Sequence, residues 1–381
     1  MRILFTFIGG VGHFHPLVPV ARAATEAGHE VAVACSGGLV SQVEALGFTA
    51  LATSEPRTLA REPLRDMTPL AAVDLRAAEE EFAENFATKG ARRHAAAVQE
   101  HLRGWGPDVV VRDEADLGTA IAAEVLGVPR ATVLVLAAGM LVRPELVSPP
   151  LAALRAEHGL PADPELTMLT RGLTLSPFPP SFRSPASPLR LQQEPFCFRY
   201  GERVPLATEP PGRRVYVTLG TVFNSASGDL WERLLAGLAG VEADIVVTIG
   251  RDLDPADLGA QPPHISIERF VPQATILGHT DLVVSHGGSG SLLATLAHGL
   301  PSVLLPLGAD QPHNAIRAEE LGLAVSRDAA TVTAHAVRQT VTAALQDDDM
   351  RRRARDVARE MAELPSVVAA LPLLERLATS S

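Results

Sequence analysis

Lysine is almost absent from this chain of 381 residues: Lys89 is the only one, and arginine supplies the rest of the positive charge, a mark of genome composition rather than of chemistry. Cysteine is as scarce. Cys35 and Cys197 stand far apart without the spacing of metal ligands, so neither a disulfide scaffold nor a zinc site is indicated, and a reducing cytoplasm is the expected setting. A surplus of basic residues is missing too. The formal net charge of −11 argues against nucleic acid or an anionic membrane as the main partner, because either rewards a basic face. No uninterrupted apolar run approaches membrane-spanning length, and MRILFTFIGG at the amino terminus lacks the charged leader and long apolar core of a signal peptide, so neither a span nor a leader is expected. The glycines of GGVGHFHP also miss the G-x-G-x-x-G spacing of a dinucleotide fingerprint, since His15 stands where the last glycine belongs. A dehydrogenase is thereby the weaker reading.

What is present is apolar content of 46%, in a chain long enough for two cores and too long for one. Strand and helix signals alternate. Arg2 to Ile8 reads as a buried strand, Gly9 to His13 as a turn, and Pro16 to Ala27 as a helix stopped at Gly28, with the next strand at Glu30 to Ala34. Asp74 to Leu102 reads as one long charged amphipathic helix. Pro107 to Glu114 runs from apolar to acidic, ahead of a helix from Asp116 to Leu126. The proline- and serine-rich Ser176 to Pro188 reads as an extended linker or loop. The rhythm restarts with a strand at Arg214 to Leu219, a turn opening on Gly220-Thr221, and strands at Ile245 to Ile249 and Ile265 to Phe270. Two α/β domains follow from this, 1–206 and 207–363, with a closing segment 364–381 that ends in an apolar-periodic helix.

The densest chemistry lies in LVVSHGGSGSLLATLAHGLPSVLLPLGADQPHN, Leu282 to Asn314. It reads as strand, glycine turn and helix, then a second strand ending in a turn with Asp310 beside Gln311. The first N–H groups of such a helix have no partner inside it and sit at the positive end of its dipole, which suits a phosphate; glycines let the oxygens approach. Asp310 and Gln311 would emerge at the carboxyl end of a parallel strand, where open α/β sheets bind ligands.

These motifs, HGGSGSLLATLAHGLP followed by PLGADQPHNA, resemble the nucleotide-sugar signature of the family 1 glycosyltransferases of GT-B fold, and most of all the bacterial enzymes that decorate polyketides and other natural products. The resemblance implies two facing Rossmann-like domains, each with a parallel sheet flanked by helices. In the second, His286 with Gly288, Ser289, Gly290 and Ser291 would hold the diphosphate of the donor, Asp310 and Gln311 hydroxyls of the sugar, Gly220 and Thr221 the diphosphate or sugar, and Val271 and Gln273 the base. Phe270 stands where many plant relatives carry a stacking tryptophan. In the first domain, the family's G-H-x-x-P turn matches Gly12, His13 and Pro16, making His13 the base and Asp113 its partner. His15 and Glu114 are the rivals for those two roles. Leu136 to Pro150, with Met140, Leu141 and Val142, is a candidate wall for the acceptor.

One departure bears on the donor. Relatives that use UDP-sugars often carry a glutamate for the ribose hydroxyls at the position of Ala294, and alanine has nothing to offer a 2′-hydroxyl, which points to a dTDP-sugar. The implied protein is a metal-independent, inverting hexosyltransferase type. It has no cofactor, since the nucleotide-sugar is a co-substrate, and its second partner is a small apolar acceptor. Oligomeric state stays open, a homodimer included. The alternatives are an epimerase or a cell-wall lipid transferase of the same fold, or a non-catalytic nucleotide-sugar binding protein.

Overall fold

The computed structural model describes residues 1–56, 68–202, 204, 213–220, 227–251 and 253–379. Packing divides the chain into two compact units, Met1–Thr58 with Arg76–Glu202 and Glu363–Ser381, and Leu59–Leu75 with Arg203–Ala362. The boundary expected at 206/207 falls on residues outside the described ones, and the closing segment packs with the first unit, its Ala370, Leu371 and Leu374 in that unit's core.

The first unit is built on seven strands, β1 (Arg2–Thr6), β2 (Glu30–Cys35), β3 (Thr49–Ala52), β4 (Val109–Asp113), β5 (Arg130–Val133), β6 (Leu173–Ser176) and β7 (Phe196–Cys197). Their order is β3-β2-β1-β4-β5-β6-β7, and every pairing is parallel. A strand covered on both faces has no solvent side and so reads as an unbroken apolar run, as in Val109, Val110 and Val111, all fully buried. The chain reverses its direction of travel across the sheet between β1 and β4, where Thr6 pairs with Arg112. That puts the turn after β1 and the end of β4 side by side at the carboxyl edge, the usual place for a ligand in such sheets.

The second unit repeats the plan with β8 (Arg214–Thr218), β9 (Asp244–Thr248), β10 (Ile265–Glu268), β11 (Leu282–Ser285), β12 (Ser302–Leu304) and β13 (Ala324–Ser326), ordered β10-β9-β8-β11-β12-β13 and again all parallel. Thr218 pairs with Ser285, and Ser285 with Leu304, so the loops after β8, β11 and β12 leave the same edge together. Two parallel-sheet α/β units are thus present, as the sequence implies.

Three local readings are corrected. The first helix begins not at Pro16 but at the turn itself, with Val11–Phe14 helical, a 3₁₀ turn at His15–Leu17 and then Val18–Glu26. The run Asp74 to Leu102 is not one α-helix: Leu75–Phe82 and Ala91–Trp105 are α-helical, but Ala83–Gly90 between them is a π-helix. The cause is visible in the small residues Ala83, Ala87, Ala91 and Ala95, all buried. Each four-residue step overshoots a 3.6-residue turn by about 40°, and a wider winding absorbs the drift so that all four stay on the core face. For Ser176 to Pro188, third, the loop reading holds and the linker reading does not. Phe178 and Phe182 are buried in the first unit, Ser187 donates to the Gly139 carbonyl at 2.6 Å, and the Ser184 N–H donates to Ala138 at 3.0 Å. Prolines carry no N–H to satisfy, so such a segment can run through an interior without a ladder of strand partners.

Candidate functional site

In the first unit the turn after β1 and the end of β4 bring a histidine and a carboxylate together. His13 Nδ1 lies 3.5 Å from Asp113 Oδ2, with the carboxylate fully buried and the imidazole about one-fifth exposed. Asp113 is held in place from its own side of the sheet and from the neighbouring loop. Its Oδ2 accepts from the Ile8 N–H at 2.9 Å and its Oδ1 from the N–H groups of Ala115 and Asp116. The rivals are placed elsewhere. Glu114 accepts from the N–H groups of Val135 and Leu136 at 3.2 and 3.1 Å and pairs with Arg183 at 3.2 Å. His15 is an exposed residue of the 3₁₀ turn whose carbonyl accepts from the Tyr200 hydroxyl at 3.4 Å. Of the acceptor-wall candidates, Leu141 and Val142 are buried in the core and Met140 is half-buried.

Beneath this pair is a buried polar group that spacing alone does not single out. Arg112, 1% exposed, donates through Nη1 to the carbonyls of Asp113, Glu114 and Asp116, pinning the turn that carries Asp113. Burial lowers its pKa, against the opposing pull of Asp116, Asp113 and Glu114. Asp116 caps the helix Leu117–Leu126 through the Thr119 N–H and accepts from His94 Nδ1 at 2.8 Å and from the hydroxyls of Thr6 and Thr119. Burial by itself would raise the Asp116 carboxyl; the charge of His94 and the bonds from His94, Thr119 and Thr6 instead bring it down to about 2. An arginine and an aspartate closing a run of valines is the one hint the sequence carried.

In the second unit the loops leaving β8, β11 and β12 converge. The helix Ser289–Ala297 starts at Gly288, whose side has no capping group, so its first N–H groups at Ser289, Gly290 and Ser291 have no partner within the helix. His286 ends the strand ahead of it and is buried between two glycines. A Cβ added at Gly220 would lie 2.6 Å from its Nε2, and one at Gly288 2.5 Å from the same atom. Gly220 also has φ +77°, a left-handed conformation, so glycine is required there on both counts. Burial lowers the pKa of His286 to about 4, the Thr218 backbone pulling weakly the other way, so at neutral pH the ring is uncharged. Thr221 lies outside the described residues.

Asp310 and Ser289, read from the sequence as belonging to different jobs, touch: the Ser289 hydroxyl donates to Asp310 Oδ2. Asn314 joins them. Its Nδ2 donates to Asp310 Oδ2 at 2.8 Å, to Ser289 Oγ at 3.2 Å and to the Gly287 carbonyl at 3.0 Å. The position of Asn314, four residues after Asp310, becomes informative only once the segment is helical. Gln311 is not presented beside Asp310 in an open turn. It is the first residue of the helix Gln311–Glu320, 3% exposed, and its Oε1 accepts from the Leu307 N–H at 2.8 Å. The helix starts one residue earlier than an open turn would allow, and that folds the amide back onto the strand-end loop.

Val271 and Gln273 follow β10, half-buried, Gln273 opening the short helix Gln273–Ile276. Phe270 is 58% exposed with the Arg251 guanidinium 5.0 Å from its ring centre. Val271 and Ala294 pack against one apolar cluster of Tyr216, Ile276, Leu277, Val283 and Leu300.

Residues 232–377 match the family described as erythromycin biosynthesis protein CIII-like, C-terminal domain. The whole chain is similar to tylactone mycaminosyltransferase of Streptomyces fradiae, 30% identical over 99% of this chain and 92% of that protein. It is 28% identical to the aclacinomycin-T 2-deoxy-L-fucose transferase of Streptomyces galilaeus over 99% of this chain and 96% of that protein. Among solved structures, that of the glycosyltransferase VinC in complex with dTDP superposes with a TM-score of 0.78 over 100% of both chains at 23% identity, which supports the fold.

Proposed function

Since this chain belongs to the GT-B glycosyltransferases of bacterial antibiotic pathways, we propose that it transfers a deoxysugar from a dTDP-sugar to a small apolar natural product, with inversion at the anomeric carbon. The first unit supplies the base. With Nδ1 of His13 turned to Asp113, Nε2 takes the proton from the acceptor nucleophile as it attacks the anomeric carbon. Asp113, fixed by three backbone N–H groups, holds the tautomer and stabilises the imidazolium as it forms. The new glycosidic bond replaces the bond from sugar to diphosphate, and the departing diphosphate keeps the electron pair.

The second unit supplies the donor site. The N–H groups of the first helical turn, Ser289 to Ser291, at the positive end of the helix dipole, and the adjacent imidazole of His286 meet the charge that grows on the diphosphate, which is where preorganised dipoles contribute most. Asp310, oriented by Ser289 and Asn314, accepts from sugar hydroxyls, and Gln311, its Oε1 taken by the Leu307 N–H, would add only its amide N–H₂. Gly220 borders the diphosphate or sugar, and Val271 and Gln273 meet the base. The single observation that carries this reading is the convergence of the three loops after β8, β11 and β12 on one helix N-terminus, with His286 clamped between Gly220 and Gly288. The thymidine preference rests on Ala294, which packs against an apolar cluster and whose own side chain offers a ribose 2′-hydroxyl no partner. The dTDP bound to VinC is consistent with it.

The test is transfer from a panel of dTDP- and UDP-sugars to polyketide and aromatic aglycones, with competition between dTDP and UDP for the purified protein. Stereochemistry of the product at the anomeric carbon reads inversion directly. Tighter binding of UDP than of dTDP would refute the donor assignment, and retained configuration would refute the mechanism.

A further inference from the structure

The π-helix Ala83–Gly90 is the least regular element of the first unit, and it lies against the histidine assigned above as the base. A π-turn costs hydrogen-bond quality relative to an α-turn and persists where packing fixes it, often beside functional residues. Here its bonds are identifiable: the Ala91 N–H donates to the Phe86 carbonyl, and the Thr88 hydroxyl to the Ala83 carbonyl at 3.2 Å. Gly90 closes the turn. A Cβ there would lie 2.5 Å from the Asn85 carbonyl oxygen and 2.7 Å from Ile8 Cδ1, so only glycine lets the wide turn press against the end of the segment that leads from β1 into the His13 turn.

That winding presents Phe86. Its ring stacks on Phe82 with centroids 4.7 Å apart and planes 11° from parallel, and also stacks against the His13 ring, with centroids 5.6 Å apart at 25°. The imidazole also meets the bare backbone of Gly9, where a Cβ would come 2.9 Å from His13 Cδ2. The ring is thus bounded by phenylalanine, by a glycine at φ +96°, and by Asp113 at Nδ1.

We propose that Phe86, held out by the π-helical turn, is a positioning residue for His13: its ring, with Gly9, fixes the plane of the imidazole so that Nε2 faces the acceptor nucleophile. The proposal rests on the reading of His13 as the base. A flat ring restricts rotation of the imidazole about its Cβ–Cγ bond in a way that an aliphatic side chain of similar volume does not. Misplacement of a reacting group by about an ångström costs up to about 10²-fold in rate, and a partial loss of alignment a fraction of that.

The experiment compares the full-length protein with Phe86→Leu, Phe86→Tyr and His13→Ala in steady-state transfer, with the His13 Cε1–H resonance followed by NMR in histidine-labelled protein and assigned by its loss in His13→Ala. Phe86→Leu should lower kcat about tenfold while the KM for acceptor and the affinity for dTDP stay within about twofold. Phe86→Tyr, which keeps the ring, should restore most of the lost rate. The Cε1–H resonance should move downfield in Phe86→Leu as the ring current disappears, a change that does not depend on turnover. An unchanged kcat in Phe86→Leu, with His13→Ala inactive, would overturn the positioning role, as would a rise in acceptor KM with kcat intact or an unmoved resonance. Full activity in His13→Ala would instead remove the base assignment on which the inference stands, an outcome told apart because it is read in a variant with Phe86 intact.

Discussion

The neutrality of His286 makes a prediction about acid stability that can be worked through. The imidazole is buried between Gly220 and Gly288, and burial brings its pKa from an ordinary 6.5 to about 4. Between those values the unfolded chain binds a proton that the folded second unit refuses. Stability therefore falls as pH drops from about 6.5 and levels off near pH 4, below which folded and unfolded states are both protonated. At about 1.4 kcal/mol per pH unit, a shift from 6.5 to about 4 amounts to about 3 kcal/mol, all of it on the acid side of neutrality. The chain is suited to the measurement. Its two tryptophans are Trp105 and Trp231, and Trp231 is fully buried in the core of the second unit, so Trp105→Phe leaves one reporter for the domain that holds His286. Urea unfolding followed by Trp231 fluorescence from pH 7.5 to 4, in this background and with His286→Asn added, isolates the contribution as a difference in slope. The variant should lose overall stability yet show a flatter pH dependence, the difference between the two curves changing by about 3 kcal/mol across the window. Parallel curves would mean that the imidazole titrates at its ordinary value, and the account of a desolvated, uncharged ring between Gly220 and Gly288 would be wrong.

Three further outcomes follow. His13→Ala should reduce kcat at least ~10²-fold, on the usual scale of general-base catalysis, with dTDP affinity by calorimetry unchanged; normal turnover would move the base elsewhere. Ala294→Glu puts a carboxylate at the edge of the cluster that includes Tyr216 and Val271, and should raise UDP affinity relative to dTDP; an unaltered ratio in competition binding would detach donor choice from this position. Asp116, with its carboxyl lowered to about 2, contributes stability that is complete above the ordinary aspartate value of 3.8 and is lost as pH falls toward 2. The first unit, followed by Trp105 fluorescence in a Trp231→Phe background, should therefore lose stability over that lower window, and Asp116→Asn should remove the step.

The sequence by itself determined what depends on order along the chain. A strand, a glycine turn and an apolar helix are local patterns, so the strand–turn–helix unit at Leu282–Ala297 was legible from residue order alone, and so were the alternation that builds two parallel sheets and the acidic end of β4. Tertiary structure decided whatever depends on distance between residues far apart in number. The choice between Asp113 and Glu114 is an example: both end the same run, and only the packing of β1 beside β4 sets Asp113 Oδ2 3.5 Å from His13 while the β5 loop captures Glu114. The union of Ser289, Asp310 and Asn314 likewise needed two helices to start at one edge. The π-turn is the clearest case. Alanines four apart look like an ordinary amphipathic face, and it is their burial against a fixed core that makes the winding widen, carrying Phe86 onto the ring of His13.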